Sequence, residues 1–318
     1  MSAVVVCLGA VNLDLLYRVP DPGPFLSAFP GLAAGGETSL DRTDQARLMH
    51  LLAGRGRLLG RSGGGQAANT AAALARLGIP TALIGRVGAD ADGVFLKAGL
   101  AGVDLARLIA AGESGRAYVL VDPTGERTIL VAPNTNDELS RADLPDGLGG
   151  AKFLHLTSFV GEGPLRVQEE WVQALQGGPE ISLDPGELYA RRGRRALAGL
   201  LVAATTLLVT EREWALLGGP PDTHPGWAPP VVLIKRGARG VRLLTGAGAA
   251  DLPPAQLPGV LRDTLGAGDV FAAGWLAGRV RGLDAQAAAV LGAKAAALSL
   301  TGAGRERYPG PEFLEAEL

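Results

Sequence analysis

A turn of small residues followed at once by a carboxylate is the clearest chemical feature of this chain. Gly266, Ala267 and Gly268 precede Asp269, and a long apolar segment without proline follows. This pattern predicts a buried helix that begins at the turn, where small residues let an anion approach unpaired backbone N–H groups and the positive end of the helix dipole. An aspartate in a first helical turn can simply complement that dipole, but beside an anion it is unfavourable unless it handles a proton. The turn therefore indicates phosphoryl transfer, with Asp269 as the base.

A second glycine-rich stretch opens another predicted helix. Gly63, Gly64 and Gly65 precede Asn69 and the helical segment Ala67–Leu77. Glycines allow backbone amides to reach a ligand, and the Asn69 side chain offers both a donor and an acceptor to a hydroxyl group. No Gly-Lys-Ser/Thr follows, so the stretch is not a P-loop.

Two small polar side chains interrupt the apolar residues after the first predicted strand. Asn12 and Asp14 follow Val4–Leu8, and in a parallel sheet the carboxyl ends of the strands face the ligand crevice. Asp14 could accept hydrogen bonds from two vicinal hydroxyls, as polyol binding requires, or cap a turn. The absence of Gly-x-Gly-x-x-Gly after this strand counts against a nicotinamide-dependent dehydrogenase.

Short runs of valine, isoleucine and leucine alternate with longer alanine- and leucine-rich segments, which predicts an α/β fold with a mainly parallel sheet between helices. The predicted strands are Val4–Leu8, Ala82–Arg86, Phe153–Leu156, Ile181–Leu183, Leu207–Val209, Val231–Ile234 and Val241–Leu244. The predicted helices are Ala67–Leu77, Gly93–Leu100, Leu165–Leu175, Arg194–Ala203, Asp269–Val280, Ala285–Leu298 and Pro311–Glu317.

Two stretches break this alternation. Residues 17–40 are rich in proline and glycine, and Ala117–Val131 alternates around Asp122-Pro123-Thr124-Gly125, which is typical of a hairpin. We expect one domain over residues 1–318, with a small β-sheet lid formed by about 17–40 and 113–133. A lid would protect a phosphoryl donor from hydrolysis, whereas the alternative is a pair of ordinary surface insertions.

The bulk composition limits the partners and the location. The 318 residues are 47% hydrophobic and 19% charged with a net charge of −2, which gives no reason to expect a nucleic acid or an anionic membrane as partner. The longest apolar run, residues 196–210, is short of the ~18 residues of a membrane span, and the N-terminus lacks the pattern of a signal peptide. A cytoplasmic protein is predicted.

Cysteine, histidine and arginine usage narrows the chemistry further. Cys7 is the single cysteine and reads as a small buried hydrophobe, so no disulfide framework is expected. The three histidines are far apart and show no metal-ligand spacing. The one dense basic cluster is predicted to lie at the solvated start of a helix; it comprises Arg191, Arg192, Arg194 and Arg195.

Taken in order, these motifs resemble the PfkB family of carbohydrate kinases, also called ribokinase-like. The run Asp263–Asp269 looks like the C-terminal signature of that family, Gly64–Asn69 looks like the N-terminal one, and the order of elements matches over essentially the whole chain. The resemblance implies a three-layer αβα sandwich with a small β-sheet lid, and ATP with Mg²⁺ as the donor system for a hydroxymethyl group. It makes Asp269 the base and the Gly266–Gly268 amides the anion hole. The positions implied to hold acceptor hydroxyls are Asn12, Asp14, Gly64, Gly65 and Asn69.

The resemblance also implies a nucleotide site. Thr210-Glu211-Arg212-Glu213 looks like an Asn-x-x-Glu motif whose glutamate organises Mg²⁺ through water, although Thr210 stands where asparagine is usual. Lys235 to Gly240 resembles the nucleotide loop, which places Gly237 and Gly240 near the phosphates and the adenosine. A smaller hydroxyl residue is more usual at the position of Lys235, whose charge could add a phosphate contact.

Asp263 matches a position that is tied to a monovalent-cation site, for K⁺, in several members of the family. The acceptor is left open between two classes, because the signatures suit a ribokinase or fructokinase, whereas the long segment containing Gln45–Leu59 resembles adenosine kinases. A sugar kinase is favoured, with a nucleoside kinase as the alternative and a catalytically silent binding protein of the same fold as the rival class. An exposed apolar face on the lid would indicate a homodimer.

Overall fold

The computed structural model describes residues 3–175 and 178–318, which form a large and a small β-sheet with α-helices. The strands are β1 Val5–Leu8, β2 Asn12–Arg18, β3 Glu37–Ser39, β4 Arg57–Gly64, β5 Thr81–Val87, β6 Val103–Asp104, β7 Leu108–Ala110, β8 Gly115–Val121, β9 Arg127–Ala132, β10 Phe153–Thr157, β11 Glu180–Asp184, β12 Thr206–Thr210, β13 Val231–Lys235, β14 Val241–Thr245 and β15 Gly248–Leu252. The helices are α1 Gly23–Ala28, α2 Arg42–Arg55, α3 Gln66–Arg76, α4 Ala91–Ala98, α5 Glu162–Ala174, α6 Gly186–Arg192, α7 Ala198–Ala203, α8 Glu211–Leu216, α9 Ala267–Val280, α10 Ala285–Ser299 and α11 Pro311–Glu317.

The large sheet confirms the predicted α/β class. Its strand order is β15-β14-β13-β12-β11-β10-β1-β5-β6, with β7 also paired to β5. The pairs from β13 through β12, β11, β10, β1 and β5 to β6 are parallel, and only β13-β14-β15 is antiparallel. All seven strands predicted from the sequence belong to this sheet, because their continuous apolar runs are typical of strands that are buried on both faces.

Helices cover both faces of the large sheet, and β1 shows why its sequence is apolar at every position. Val5 and Cys7 pack into a cluster that includes residues of α3, α9 and α10, whereas Val6 and Leu8 pack into a second cluster with residues of α5, α6 and α7. Successive side chains of a strand point to opposite faces, so both alternating sets must be apolar. Cys7 is fully buried, as its sequence context predicts.

The small sheet has the strand order β3-β9-β8-β2-β4. The hairpin expected within residues 113–133 is β8 and β9, which pair antiparallel, and a backbone hydrogen bond from Gly125 to Asp122 closes the turn. The predicted segment 17–40 supplies β3. Most of β2 and all of β4 lie outside the two predicted segments. Asn12 and Asp14 therefore belong to the small sheet, and they do not stand at the end of β1 as the sequence suggested.

Two helices cover the outer face of the small sheet. Leu48 and Leu52 of α2 and Phe25 of α1 pack in one buried cluster with Tyr118 and Leu130 of the hairpin. The segment of α2 was not predicted as a helix, because its two buried leucines are flanked by many polar residues. The outer face of the β8–β9 hairpin is thus covered within the chain, whereas Leu58 and Leu59 of β4 remain exposed, so the homodimer stays a prediction.

The arginine cluster lies differently from its prediction. Gly193 adopts φ +78° and ends α6, so Arg191 and Arg192 occupy the last turn of one helix, and α7 begins only at Ala198. The predicted helix Arg194–Ala203 is thus shortened at its start, and Arg194 and Arg195 lie in the turn between α6 and α7. Among the residues described, no helix combines the length and the apolarity that crossing a membrane requires.

Candidate active site

A cavity of about 340 Å³ lies between the small sheet and the carboxyl ends of the parallel strands. The small sheet contributes one face, since alternate residues of β2, β8 and β9 line the cavity. Eight of the residues singled out from the sequence also line it, namely Asn12, Asp14, Gly65, Asn69, Glu213, Gly266, Gly268 and Asp269. Residues more than 250 positions apart in the sequence are therefore brought together.

The floor of the cavity is the turn that begins α9. Gly266 adopts the left-handed conformation at φ +73°, which a glycine reaches without strain, and α9 starts at Ala267. Within the described residues, neither the Gly266 N–H nor the Gly268 N–H donates a hydrogen bond to the protein. Both donors are available to an anion at the N-terminus of a buried fourteen-residue helix.

Asp269 lies in the first turn of α9 with its carboxyl group buried at the cavity wall. Its Oδ2 accepts a hydrogen bond of 2.8 Å from Asn69 Nδ2, and its backbone carbonyl accepts one from the Thr70 hydroxyl. Burial raises the pKa of Asp269 to about 7, an effect that Asn69 opposes. A carboxyl group with this pKa can take up a proton near neutral pH.

Arg305 holds Asn69 in place and was not singled out by sequence reasoning. Arg305 Nε and Nη2 donate to Asn69 Oδ1 at 3.2 and 2.9 Å, so the Asn69 amide nitrogen is left to face Asp269. Arg305 Nη1 also donates to the Gly99 carbonyl at 2.8 Å. These contacts join residues 236 positions apart, and no local motif marks Arg305.

The Asp14 carboxyl group of β2 occupies the space beside Gly64 of β4, which accounts for a glycine at that position. A Cβ atom on Gly64 would lie 2.1 Å from both Asp14 carboxyl oxygens, so a larger residue would displace the carboxyl group. Gly65 is needed for a different reason, since it adopts φ +92° and a Cβ there would lie 2.2 Å from the Ala10 carbonyl. Burial raises the pKa of Asp14 to about 7, and Arg305 opposes this rise.

Three further polar residues line the cavity and were not named as site residues from the sequence. Asn136 Nδ2 donates to Asn12 Oδ1 at 2.8 Å and fixes that side chain. Glu37 of β3 faces the cavity, where burial raises the pKa of its carboxyl group to about 7. Gln66 accepts a hydrogen bond from Ser158 at 3.0 Å and donates to Asp184 at 3.3 Å.

Thr210 and Glu213 form a reciprocal cap at the start of α8. The Thr210 N–H donates to Glu213 Oε2 at 2.7 Å, and the Glu213 N–H donates to Thr210 Oγ1 at 3.2 Å. Threonine is a good N-cap residue, so it can fill the local role of the asparagine that is usual here. Burial raises the pKa of Glu213, an effect that Lys235 opposes, and the Glu213 side chain reaches the cavity.

Lys235 reaches the same floor from the end of β13. Its ammonium group donates to Asp184 Oδ2 at 2.7 Å, and a Cβ atom on Gly268 would lie 3.3 Å from its Nζ. Gly237 and Gly240 adopt φ +56° and +80° in the following loop and do not line the cavity. A Cβ on Gly240 would lie 2.1 Å from the Leu252 carbonyl, whereas the space beside Gly237 is open.

Asp263 is bound within the protein. Its Oδ1 accepts hydrogen bonds from Arg127 Nη1 at 2.8 Å and from the Leu265 N–H at 3.0 Å, and its Oδ2 accepts one from the Gly304 N–H at 3.1 Å. These donors, with burial opposing them, lower the pKa of Asp263. Both carboxyl oxygens already have protein donors and a guanidinium already balances the charge, so Asp263 does not fit a cation ligand in this arrangement.

Sequence comparison gives consistent matches to one family. A family model described as "pfkB family carbohydrate kinase" matches residues 42–307. The chain is similar to an ATP-dependent ribose-1-phosphate kinase of Halopiger xanaduensis, with 36% identity over 224 residues that cover 68% of this chain and 73% of that protein. It is also similar to a fructokinase of Klebsiella pneumoniae, with 34% identity over 246 residues that cover 71% and 79% of the two chains.

Structure comparison finds the same fold in solved proteins. The crystal structure of adenosine kinase from Sinorhizobium meliloti superposes with a TM-score of 0.81 and covers 98% of this chain and 96% of its own. The sequence identity is 22%, so this likeness concerns the fold. It agrees with the three-layer arrangement and the second small sheet.

Proposed function

Since the chain belongs to the pfkB family of carbohydrate kinases, we propose that it phosphorylates the hydroxymethyl group of a small sugar. It is an ATP-dependent phosphotransferase with an alcohol group as acceptor. One observation carries the assignment of the site, which is the buried Asp269 carboxyl group between the α9 turn and Asn69 at the cavity wall. The names of the two similar kinases, for ribose 1-phosphate and fructose, support a sugar as acceptor.

In the proposed reaction, Asp269 removes the proton of the acceptor hydroxyl as its oxygen attacks the γ-phosphorus. The new oxygen–phosphorus bond forms while the bond to the ADP oxygen breaks, and ADP leaves with its electron pair. The Gly266 and Gly268 N–H groups, with Ala267 between them, stabilise charge on the transferring phosphoryl group. A pKa of about 7 suits Asp269 to this task, because it is ionised in a useful fraction of molecules at neutral pH.

The acceptor is held beside Asp269 by polar side chains of β2 and α3. Asp14 accepts hydrogen bonds from sugar hydroxyls, while Asn12 and Asn69 add an amide donor or acceptor each. Gly64 and Gly65 bring the backbone close to the ring. A side chain at Gly64 would displace the Asp14 carboxyl group, and one at Gly65 would collide with the Ala10 carbonyl. This arrangement suits a polyol.

The residues present fit Mg²⁺ held mainly by water and phosphate. Among the described residues, no three acidic, histidine or cysteine side chains converge on a metal position. Mg²⁺ usually keeps several waters and takes one or two carboxylates with substrate phosphates, and Glu213 offers such a carboxylate at the cavity. When bound, Mg²⁺ would neutralise charge on the ATP phosphates.

The nucleotide is proposed to lie across the loops after β12 and β13. Thr210 holds the start of α8, Lys235 contributes positive charge, and the Gly237 and Gly240 backbone accommodates the phosphates and the adenosine. A cytoplasmic location, where ATP is available, belongs to the proposal. A K⁺ site at Asp263 is not part of the proposal, because Arg127 and two backbone N–H groups already bind the Asp263 carboxyl group.

A nucleoside is the second candidate acceptor, and the far wall of the cavity favours it. Val119 and Ile129 of the small sheet line the cavity together with Phe159, Val160 and Leu188. A flat apolar base could pack between such walls, whereas a bare pentose would leave them uncovered.

A panel of acceptors decides between these candidates. The protein would be incubated with MgATP and, separately, ribose, fructose, ribose 1-phosphate, adenosine and cytidine, and ADP release and phosphorylated product would be measured together. Asp269→Asn, purified identically, controls for contaminating kinases. We expect fastest turnover on a free sugar; preferential turnover of a nucleoside would favour the alternative, and no product from any hydroxyl acceptor would contradict the proposed function.

A further inference from the structure

Lys235 stands at a position where a smaller hydroxyl residue is more usual in the family pattern. Its side chain is almost entirely inside the protein, with 14% exposed, and its ammonium group has three N–H donors. One of them is used by Asp184 at 2.7 Å, and within the described residues no other hydrogen bond of this ammonium group is formed. A buried ammonium with unused donors normally needs a further acceptor.

The donors of the Lys235 ammonium group lie next to the α9 turn, which forms the floor of the cavity. Lys235 Nζ lies close enough to Gly268 that a Cβ atom there would be 3.3 Å away, and Gly268 carries one of the two free N–H groups of the α9 turn. Glu213 and Asp269 act on Lys235 through space. The ammonium group therefore stands beside the anion-binding turn and is close enough to both carboxylates to be influenced by their charge.

Lys235 keeps its positive charge in this environment. Burial by itself would lower the pKa of Lys235, but the carboxylates of Asp184 and Glu213 raise it above the ordinary value. Asp184 is 2% exposed and is further fixed by donors from Gln66 and the Gly186 N–H. Asp184 thus anchors the lysine behind Gly268, and it is Gly268, not Asp184 or Lys235, that lines the cavity itself.

We propose that Lys235 is a catalytic residue whose ammonium group donates to oxygens of the transferring phosphoryl group, beside the Gly266 and Gly268 N–H groups. This inference rests on the proposed kinase function and adds a role that a hydroxyl residue at this position would not supply. The lysine remains protonated throughout, while Asp269 takes the acceptor proton and ADP takes the electron pair of the broken bond. The contact strengthens as charge develops, so it acts on kcat rather than on ATP binding.

Two substitutions that break the same ion pair separate catalysis from structure. Lys235→Met removes the ammonium group, and Asp184→Asn keeps it while removing its anchor. We expect Lys235→Met to lower kcat by roughly 10²–10³-fold, as loss of one anion-hole donor does, with the KM for ATP and the Kd for β,γ-imido-ATP changed by less than about threefold. Asp184→Asn should lower thermal stability but retain a kcat within about tenfold of wild type.

The double variant Lys235→Met/Asp184→Asn provides the test if either single variant folds poorly. It leaves no unpaired buried charge, since both members of the ion pair are replaced by neutral residues. It should fold and show the low kcat of Lys235→Met. Equal losses of kcat in Lys235→Met and Asp184→Asn, or a change confined to the KM for ATP, would overturn the proposal. Failure of wild type to phosphorylate any acceptor would instead contradict the kinase function, which is a separate readout.

Discussion

The acceptor side and the nucleotide side of the site are built by different means. On the acceptor side, side chains from distant parts of the chain hold one another, as in the Asn136–Asn12 and Arg305–Asn69–Asp269 contacts. On the nucleotide side, Gly237 and Gly240 shape the backbone through positive φ angles, and the space beside Gly237 is open. Selection of the acceptor therefore depends on preorganised side chains, whereas binding of the nucleotide depends on the shape of the backbone and on a few charged side chains.

This difference predicts which substitutions act on one substrate alone. A side chain of the acceptor side such as Asp14 can be changed without moving the nucleotide loop, because within the described residues Asp14 forms no hydrogen bond or ion pair with the loops after β12 and β13. Lys235 and Asp269 lie at that shared floor, so substitutions there should affect transfer itself. The experiments below test the division, beginning with the largest expected effect.

Asp269→Asn should lower kcat by roughly 10²–10⁴-fold with ATP binding largely retained, because the amide preserves the shape but cannot accept the proton. The pH dependence gives a second test. The base works only when ionised, so wild-type kcat/KM should be low below pH 7 and rise through the pKa of about 7 to a plateau. The variant should lose this rise, and near-wild-type turnover would remove Asp269 as the base.

Asp269 also shows what could be predicted from the sequence. The α9 turn is a local motif, and continuous apolar runs mark the strands of the large sheet. The helix that begins at the turn and these strands were therefore predicted correctly. Arg305, Glu37 and Asp184 could not be found in this way, because their importance lies in contacts with residues remote in sequence. For the same reason, helix α2 was missed: its leucines are buried only because the small sheet lies beneath them.

Asp14→Ala should raise the KM for the acceptor by at least about tenfold. Loss of hydrogen bonds to a charged group typically costs ~1.5–3 kcal/mol, and 1.4 kcal/mol corresponds to a factor of ten. The KM for ATP should barely change. Asp146→Ala, at a side chain that is 96% exposed, is a control for loss of an aspartate. Equal weakening of ATP and acceptor, or loss of thermal stability alone, would mean that Asp14 serves the structure of β2 and β4.

Glu213→Gln should raise the Mg²⁺ concentration for half-maximal rate by roughly tenfold, within the range seen for residues that act on a metal through its ligands. Glutamine can still accept from the Thr210 N–H, so the helix cap is kept. Thr210→Ala is the matched control, since it should cost about 1 kcal/mol of stability and leave the Mg²⁺ titration unchanged. A shared effect in both variants would assign Glu213 to the cap alone.

The smallest expected effect concerns the monovalent cation, at the loop between β15 and the α9 turn. Because Arg127 already neutralises Asp263, exchanging K⁺ for Na⁺ or tetramethylammonium at constant ionic strength should change the rate by less than roughly twofold. Arg127→Met removes the guanidinium and leaves only the Leu265 and Gly304 N–H groups on the carboxylate. That variant should become more active with K⁺ than with tetramethylammonium. Arg116→Met, at another arginine of the small sheet, breaks a comparable 2.9 Å ion pair to Asp92 of α4, and this variant should remain insensitive to the cation. Strong K⁺ activation of wild type would show that Asp263 binds a cation in spite of Arg127, and the nucleotide side would then depend on one more charge than the structure indicates.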